Sequence, residues 1–384
     1  ILPSLSPDLE DVVVRGVVRR DFELSGMYDV IPDAKAPAGM YGFEDPVDVP
    51  AWRNIGAEVV IKVAARKRDG KVEISGLAYF LSHGADPVYQ KKLVVGSGEV
   101  RLTAHRLTDA LLGALTGRDG GFASHMTYVA PWGHARRVFT MDADGHDLTP
   151  RSNDKDTAIA PTWGAGGTLF YASSHEYSPF SLFKDTAGTP EKVNLPFSTS
   201  IYGVSFDDKT GKMAVAVAEG LGSAIYVGNA DGTGLQKVSN TEIATHPVWS
   251  PSGKLAWVGG GGKQGTQRIY VDGKPASPSG FAASSPVFCD TEDGIRLVFT
   301  VSVAGDRQDL VMTNERGGGI ARLTQDQGSN TYPACSVDGR LLAFFSTRKS
   351  GQGPGMYLLS LKRWKTQRLS GQTGESLRWA PLPK

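Results

Sequence analysis

His246-Pro-Val-Trp-Ser-Pro-Ser-Gly-Lys-Leu-Ala-Trp-Val258 decides the architecture of this chain. An apolar, aromatic strand start runs into a Ser-Pro-Ser-Gly turn, and a second apolar run follows; together they read as one β-hairpin. The chain repeats it. Pro161-Thr-Trp163 continuing to Leu169-Phe-Tyr171 is one copy, and Val204-Ser-Phe206 with Gly211-Lys-Met-Ala-Val215 is a looser one. Pro286-Val-Phe288 leads through Asp293-Gly294 to Leu297-Val-Phe299, Pro333-Ala-Cys335 leads through Asp338-Gly339 to Leu341, and Leu377-Arg-Trp379 is a truncated copy. The third residue of each copy falls at 163, 206, 249, 288, 335 and 379. A period of roughly 40–45 residues with strand–turn–strand content is that of four-stranded propeller blades.

A second motif, a strand, a turn and an outgoing strand, interleaves with the first. Val138-Phe-Thr-Met-Asp142 with Asp144-Gly145, and Ile225-Tyr-Val227 with Asp231-Gly232, are its clearest copies; others begin at Ser181, Ile269, Leu310 and Met356. The Asp-Gly pairs supply the positive φ angles that tight hairpins need. Equal numbers of each half, offset by half a unit, predict six blades. The hairpin from about Met126 lacks a leading motif and Trp379 lacks a trailing one, so strands from both ends of the chain are expected to close the last blade and remove its free edges. The expected fold is mainly β: a six-bladed β-propeller over 121–384, preceded by a small α/β domain over 1–120.

That first domain reads as a helix from Asp8 to Ser25, a short helix between Val49 and Gly56, strands Val59–Ala65, Val72–Leu81 and Gln90–Val95, and a helix from Arg101 to Leu115. Gly26 and Gly117 stop the two long helices, and Gly120-Gly121 forms the linker. Ile1-Leu-Pro-Ser-Leu-Ser6 reads as the end of a strand. Because the chain opens on Ile1 rather than Met, an export signal or a tag is expected to have been removed or left out.

The 384 residues carry 41 Lys and Arg against 40 Asp and Glu, a net charge of +1. Neither domain is polarised, which argues against a dominant nucleic-acid or anionic-membrane surface. No apolar run is long enough to span a bilayer. The two cysteines, Cys289 and Cys335, occupy non-equivalent places in adjacent repeats. They read as buried thiols rather than as a disulfide, which leaves the redox compartment open.

Candidate chemistry fails on spacing. Gly259-Gly-Gly-Gly-Lys263 resembles a phosphate loop, but Gln264 stands where a Ser or Thr should hold the metal. His175-Glu176 lacks the second histidine of a zinc protease helix. Asp142, Asp144 and Asp147 echo a calcium loop without its bidentate Glu. No Gly-x-Ser-x-Gly elbow exists. No catalytic residue, metal ligand or cofactor is therefore expected.

The repeat kept best from Pro247 to Ala256 resembles that of the TolB family, as do longer stretches of the first domain. These are His105-Arg-Leu-Thr-Asp109 through Leu115-Thr-Gly117, Asp21-Phe-Glu-Leu-Ser-Gly26-Met-Tyr28, and Trp52-Arg-Asn-Ile-Gly56-Ala-Glu-Val-Val60. The resemblance covers nearly the whole chain and respects the domain order. It implies a non-catalytic, monomeric periplasmic scaffold of the Tol–Pal envelope system, which serves outer-membrane integrity and cell division. The propeller would bind the peptidoglycan-associated lipoprotein (Pal). TolA would bind through an N-terminal segment that this chain begins too late to include.

Loops entering the inner strands of a propeller converge on one mouth. Here they end at Ala160, Gly203, His246, Ser285, Tyr332 and Leu377, flanked by Ser200, Ile201, Thr245 and Thr331. This small, polar and aromatic rim suits a protein footprint. Where the family carries an acid, this chain has His246, which the resemblance turns into a contact with the charge logic reversed. Binding is then expected to strengthen as the pH falls through about 6–7 and the imidazole gains a proton. Two other readings are a propeller that binds carbohydrate or peptidoglycan, and a propeller hydrolase using acids such as Asp156, Glu242 or Glu375.

Overall fold

The computed structural model describes residues 1–2, 8–39, 41–186, 188–260, 265–304 and 307–382. The chain divides into two compact units, Ile1–Ala123 and Ser124–Lys384.

In the first unit, helix α1 (Leu9–Ser25) ends where Gly26 turns left-handed at φ 62. Helix α2 (Val49–Asn54) starts at Asp48, whose carboxylate accepts from the Ala51 N–H, with Pro50 in its first turn. Strands β1 (Val59–Arg68), β2 (Lys71–Phe80) and β3 (Tyr89–Gly96) form one antiparallel sheet in chain order. Helix α3 (Val100–Thr116), stopped by Gly117 at φ 81, packs against α1 and β2. It comes so near that a Cβ on Gly76 would lie 2.7 Å from a Leu107 methyl. The buried His105 Nδ1 lies 2.8 Å from the buried Asp21 carboxylate, which ties α3 to α1. Asp109 accepts from the Phe122 and Ala123 N–H groups at 2.8 and 2.9 Å, fixing the chain where it leaves this unit. The His and Asp of the TolB-like segment are thus structural in this unit. Of the opening strand, Leu2 N–H donates to the Ile61 carbonyl at 2.9 Å; Pro3 to Ser6 lie outside the described residues.

The second unit is built from short antiparallel strands. It begins with β4 (His125–Trp132), β5 (Ala135–Asp142) and β6 (Thr149–Pro150), followed by β7 (Thr157–Trp163), β8 (Leu169–Ser174), β9 (Ser181–Asp185) and β10 (Pro190–Lys192). Four sheets of four strands follow. They are β11 (Ile201–Asp207), β12 (Lys212–Glu219), β13 (Gly222–Asn229) and β14 (Gln236–Lys237); then β15 (Ile243–Trp249), β16 (Leu255–Gly260), β17 (Arg268–Val271) and β18 (Lys274–Pro275). The third is β19 (Ala283–Thr291), β20 (Gly294–Val303), β21 (Arg307–Asn314) and β22 (Ala321–Arg322); the fourth is β23 (Asn330–Cys335), β24 (Leu341–Ser346), β25 (Gly355–Ser360) and β26 (Thr366–Ser370). The last strand, β27 (Glu375–Trp379), returns to pair antiparallel with β4. The early strands and β27 count as one eight-stranded sheet, because the single parallel pair Arg136–Thr157 joins β5 to β7.

Strand β7 neighbours β11, β11 neighbours β15, and so on through β19, β23 and β27, which returns to β7. The arrangement is propeller-like. Its core lies between successive sheets, where Phe288 and Phe299 pack with Ala256 and Val258, and Trp257 packs with Ala214 and Ala216. Each buried Leu, Val or Phe there contributes roughly 1.5–3 kcal/mol. Trp163, Trp249 and Trp379 each end the first strand of their four-strand set.

The cysteines correct the sequence reading. Cys289 on β19 and Cys335 on β23 form a disulfide with their Cα atoms 5.4 Å apart. Their places in the repeat differ by one residue, yet the first strands of adjacent sheets run side by side, and that offset brings the two sulfurs together.

Candidate functional site

Each first strand of the second unit is interrupted at the same place. The register of β7 on β8 jumps between Ile159 and Thr162, that of β15 on β16 between Thr245 and Val248, and that of β19 on β20 between Ser284 and Val287. The same jump occurs at Thr331/Ala334 and Glu375/Arg378, and a shorter one at Ile201/Gly203. These are β-bulges, in which two residues of the first strand oppose one of the second. The leading bulge residue is left-handed: Ala160 at φ 49, His246 at 53, Ser285 at 51, Tyr332 at 52 and Ser376 at 55, with Gly203 at 142. Proline follows four of them, at Pro161, Pro247, Pro286 and Pro333.

The residue opposite each long bulge is aromatic and buried. Tyr171, Trp257, Phe299, Phe344 and Tyr128 occupy that position. A non-glycine left-handed residue costs about 1–2 kcal/mol, and it persists only where its surroundings over-determine it. The aromatic wedge behind the bulge does so here. A Cβ placed on Gly203 would lie 3.0 Å from that of Ala160, so consecutive copies meet.

Ala160, Thr245, His246, Tyr332 and Ser376 line one cavity of about 400 Å³, together with Tyr202. Arg136 and Glu375 flank it, joined by a 2.7 Å ion pair. Leu221, fully exposed on the turn between β12 and β13, stands at its edge. Of the residues read from the sequence, Ala160, Thr245, His246 and Tyr332 are brought together. Gly203 adjoins them through Ala160. Ser285 and Thr331 hold the equivalent strand positions without lining the cavity, and Ser285 is buried. Ser200 accepts from the Phe180 N–H at 3.2 Å and anchors a turn, while Ile201 packs in the core beside Leu182 and Val204. Leu377 is fully buried, and the repeat-equivalent residue is Ser376, one position earlier.

His246 overturns the expected imidazole switch. Its Nδ1 lies 3.0 Å from Thr245 Oγ1. Burial, and then the nearby Arg378 guanidinium, hold its pKa down at about 4. A second positive charge beside Arg378 is unfavourable. The imidazole is neutral at pH 6–7. Tyr332 is pushed upward by burial and by the charge of Glu375.

The other motifs remain turn chemistry. His175 Nδ1 lies 2.7 Å from Asp156 on an exposed loop. His146 pairs with Asp144 at 3.2 Å and His125 with Asp142 at 3.1 Å. The glycine-rich Gly259–Lys263 stretch is described only to Gly260, where β16 ends; Gly261 to Gln264 lie outside the described residues. No helix among the described residues is long and apolar enough to cross a membrane.

Residues 8–76 match the TolB amino-terminal domain. A Tol-Pal system protein TolB of Anaeromyxobacter dehalogenans is 28% identical over 240 residues, covering 61% of this chain and 54% of that protein. One from Albidiferax ferrireducens is 26% identical over 189 residues, covering 49% and 44% respectively. The crystal structure of TolB from Acinetobacter baumannii superposes with a TM-score of 0.83 over 99% of this chain and 95% of that one, at 18% identity, which speaks for the fold. Residues 8–76 carry the TolB amino-terminal domain, and the chain as a whole is similar to TolB proteins. The matched stretch spans about half the length of these curated TolB relatives. Within the TolB amino-terminal domain, the match takes in α1, α2, β1 and most of β2.

Proposed function

We propose that this TolB-like chain is a non-catalytic periplasmic scaffold of the Tol–Pal system, with an N-terminal α/β domain over 1–120 and a six-bladed propeller over 121–384. In this reading β27, β4, β5 and β6 make the closing blade. The propeller binds the peptidoglycan-associated lipoprotein at the mouth ringed by Ala160, Gly203, His246, Ser285, Tyr332 and Ser376. TolA engages through a segment N-terminal to the first domain, and the chain works as a monomer in maintaining the outer membrane and in cell division.

The observation that carries this reading is the cavity formed by repeat-equivalent bulge residues, on a chain whose relatives are named as Tol–Pal components. Leu221 at its edge, with Tyr177 and Trp132 on the corresponding turns of neighbouring sheets, supplies the exposed apolar and aromatic anchors that protein interfaces use. The Cys289–Cys335 disulfide favours an oxidising compartment.

Calorimetric titration of the lipoprotein's soluble domain tests the proposal. Leu221→Asp and Tyr332→Ala should weaken binding by about 1–3 kcal/mol. Ile320→Asp, at an exposed site on the turn between β21 and β22, should leave it unchanged. Equal affinity for all these variants and the wild type would reject the mouth as the binding surface.

A further inference from the structure

Arg136 and Arg137 are consecutive on β5, so their side chains leave opposite faces of the strand. Arg136 flanks the mouth. Arg137 lines a second cavity, of about 450 Å³, that shares no residue with the first. Its volume lies within the roughly 300–1,000 Å³ of small-molecule sites. One wall is Arg137 with the segment after β6, from Arg151 to Asp156. The other is the face of β8 and β9 that carries Tyr171, Ser173 and Phe183. Tyr171 and Phe183 pair across these strands with their rings nearly parallel and 6.0 Å apart.

The walls are tied together. Arg151 Nε donates to the buried Asp185 carboxylate at 2.8 Å, and the Tyr171 hydroxyl donates to the Arg151 carbonyl at 3.4 Å. Arg137 Nε donates to the Ser152 carbonyl at 2.7 Å, and its guanidinium lies 5.4 Å from the centre of the Trp132 ring. Both arginines are thus held by Nε, and among the described residues nothing accepts from their terminal nitrogens. The Asn153 side-chain oxygen accepts from the Lys155 N–H at 2.9 Å, which leaves its amide nitrogen without a partner among the described residues. Asp156 meets His175 through one carboxylate oxygen and keeps the other. Ser173 is only 5% exposed, yet its hydroxyl has no partner among the described residues. A buried hydroxyl left unbonded is destabilising, and a ligand oxygen relieves it.

We propose that this cavity binds a neutral saccharide. A sugar ring offers hydroxyls that both donate and accept, together with apolar C–H surface. The terminal nitrogens of Arg137 and Arg151, the Asn153 amide and the Ser173 hydroxyl are donors for it, the free Asp156 oxygen is an acceptor, and Tyr171 and Phe183 supply the apolar wall. Two arginines stand against Asp156 and Asp185, so the cavity has no excess of positive charge to favour sulfate or phosphate. The site does not rest on the scaffold reading, because none of its residues lines the mouth.

Calorimetric titration of the full chain at pH 7 with N,N′-diacetylchitobiose, cellobiose and maltose tests the site, with saturation-transfer NMR on the sugar protons alongside. At least one of the three should bind saturably, and sulfate should not displace it. Ser173→Ala and Asp156→Asn should each weaken that binding by about three- to tenfold, and Arg137→Gln by about tenfold or more. Ser173→Ala removes an unbonded hydroxyl, so its thermal midpoint without sugar should be unchanged or raised. Lost affinity at retained stability is what a purely structural serine would not show. Leu221→Asp should bind the sugar as the wild type does. Silence with all three sugars, undiminished affinity in the three cavity variants, or displacement by sulfate would each overturn the site. The scaffold reading fails separately: a chain that binds the sugar but not the lipoprotein domain refutes that reading and leaves this one standing.

Discussion

The indole N–H of Trp379 donates a 2.7 Å hydrogen bond to the hydroxyl of Ser124, linking the end of the second unit to its first residue. The Ala380 N–H continues the join to the His125 carbonyl at 2.7 Å. Strand β27 would otherwise leave the edge of β4 unpaired. Trp379→Ala removes the bond and much of the apolar contact and should cost on the order of 3–5 kcal/mol in urea unfolding. Ser124→Ala should cost about 1 kcal/mol. The double variant should fall short of the sum, since the two residues share one interaction. A Trp379→Ala variant as stable as the wild type would mean that the closure contributes nothing.

Ala160 and Gly203 test the ring of bulges directly. Valine at Gly203 must adopt φ 142 and also meet the Ala160 methyl, so it should lower stability by about 1–3 kcal/mol. Ala160→Gly relieves a left-handed alanine at φ 49 while adding freedom to the unfolded chain. These effects oppose each other and the net should lie between zero and about 1 kcal/mol of stabilisation. A clear loss of stability in Ala160→Gly would show that the side chain, not the backbone, is what the bulge requires.

Reduction of Cys289–Cys335 should be felt across two adjacent sheets. The bridge closes a span of 46 residues, for which loop-closure entropy gives about 4 kcal/mol. The Cys289→Ala/Cys335→Ala double variant should therefore unfold at lower denaturant, and reductant should shift the wild type but not the variant. Identical midpoints with and without reductant would contradict the bridge.

The sheets were legible because their marks are local. Most copies carry a proline or an aromatic residue and a turn within a dozen positions, and the interval between copies stays near 40–45 residues. The rim was legible only where that local mark is complete. Pro161, Pro247 and Pro333 point to Ala160, His246 and Tyr332, which the cavity unites. Pro286 points equally to Ser285, which burial removes from the lining. In the last copy Leu377 stands where the proline should be, and without that landmark the reading slips one residue past Ser376. The Arg136–Glu375 pair joins residues 239 positions apart, and no local pattern announces it. The disulfide was missed for a related reason: a one-residue difference in repeat position looks prohibitive until neighbouring strands are seen to be offset.

His246 offers a test by pH. Its folded pKa, about 4, lies below the ordinary imidazole value of 6.5. Between those values the unfolded chain holds the proton and the folded chain does not, so stability falls as the pH is lowered from 6.5 toward 4. The group's full contribution is present above 6.5. At about 1.4 kcal/mol per pKa unit, the loss attributable to this residue is at most about 3.5 kcal/mol. His246→Gln keeps a polar side chain without a titrating ring and should flatten the decline between pH 6.5 and 4.5, with little change at pH 7.5. Partner binding at the mouth should likewise show no imidazole-dependent gain between pH 7.5 and 6, because the folded ring remains neutral throughout. Urea midpoints for both proteins at pH 7.5, 6 and 5 provide the measurement. If wild type and His246→Gln lose stability in parallel on acidification, His246 is not held neutral, and Arg378 is not the neighbour that keeps it so.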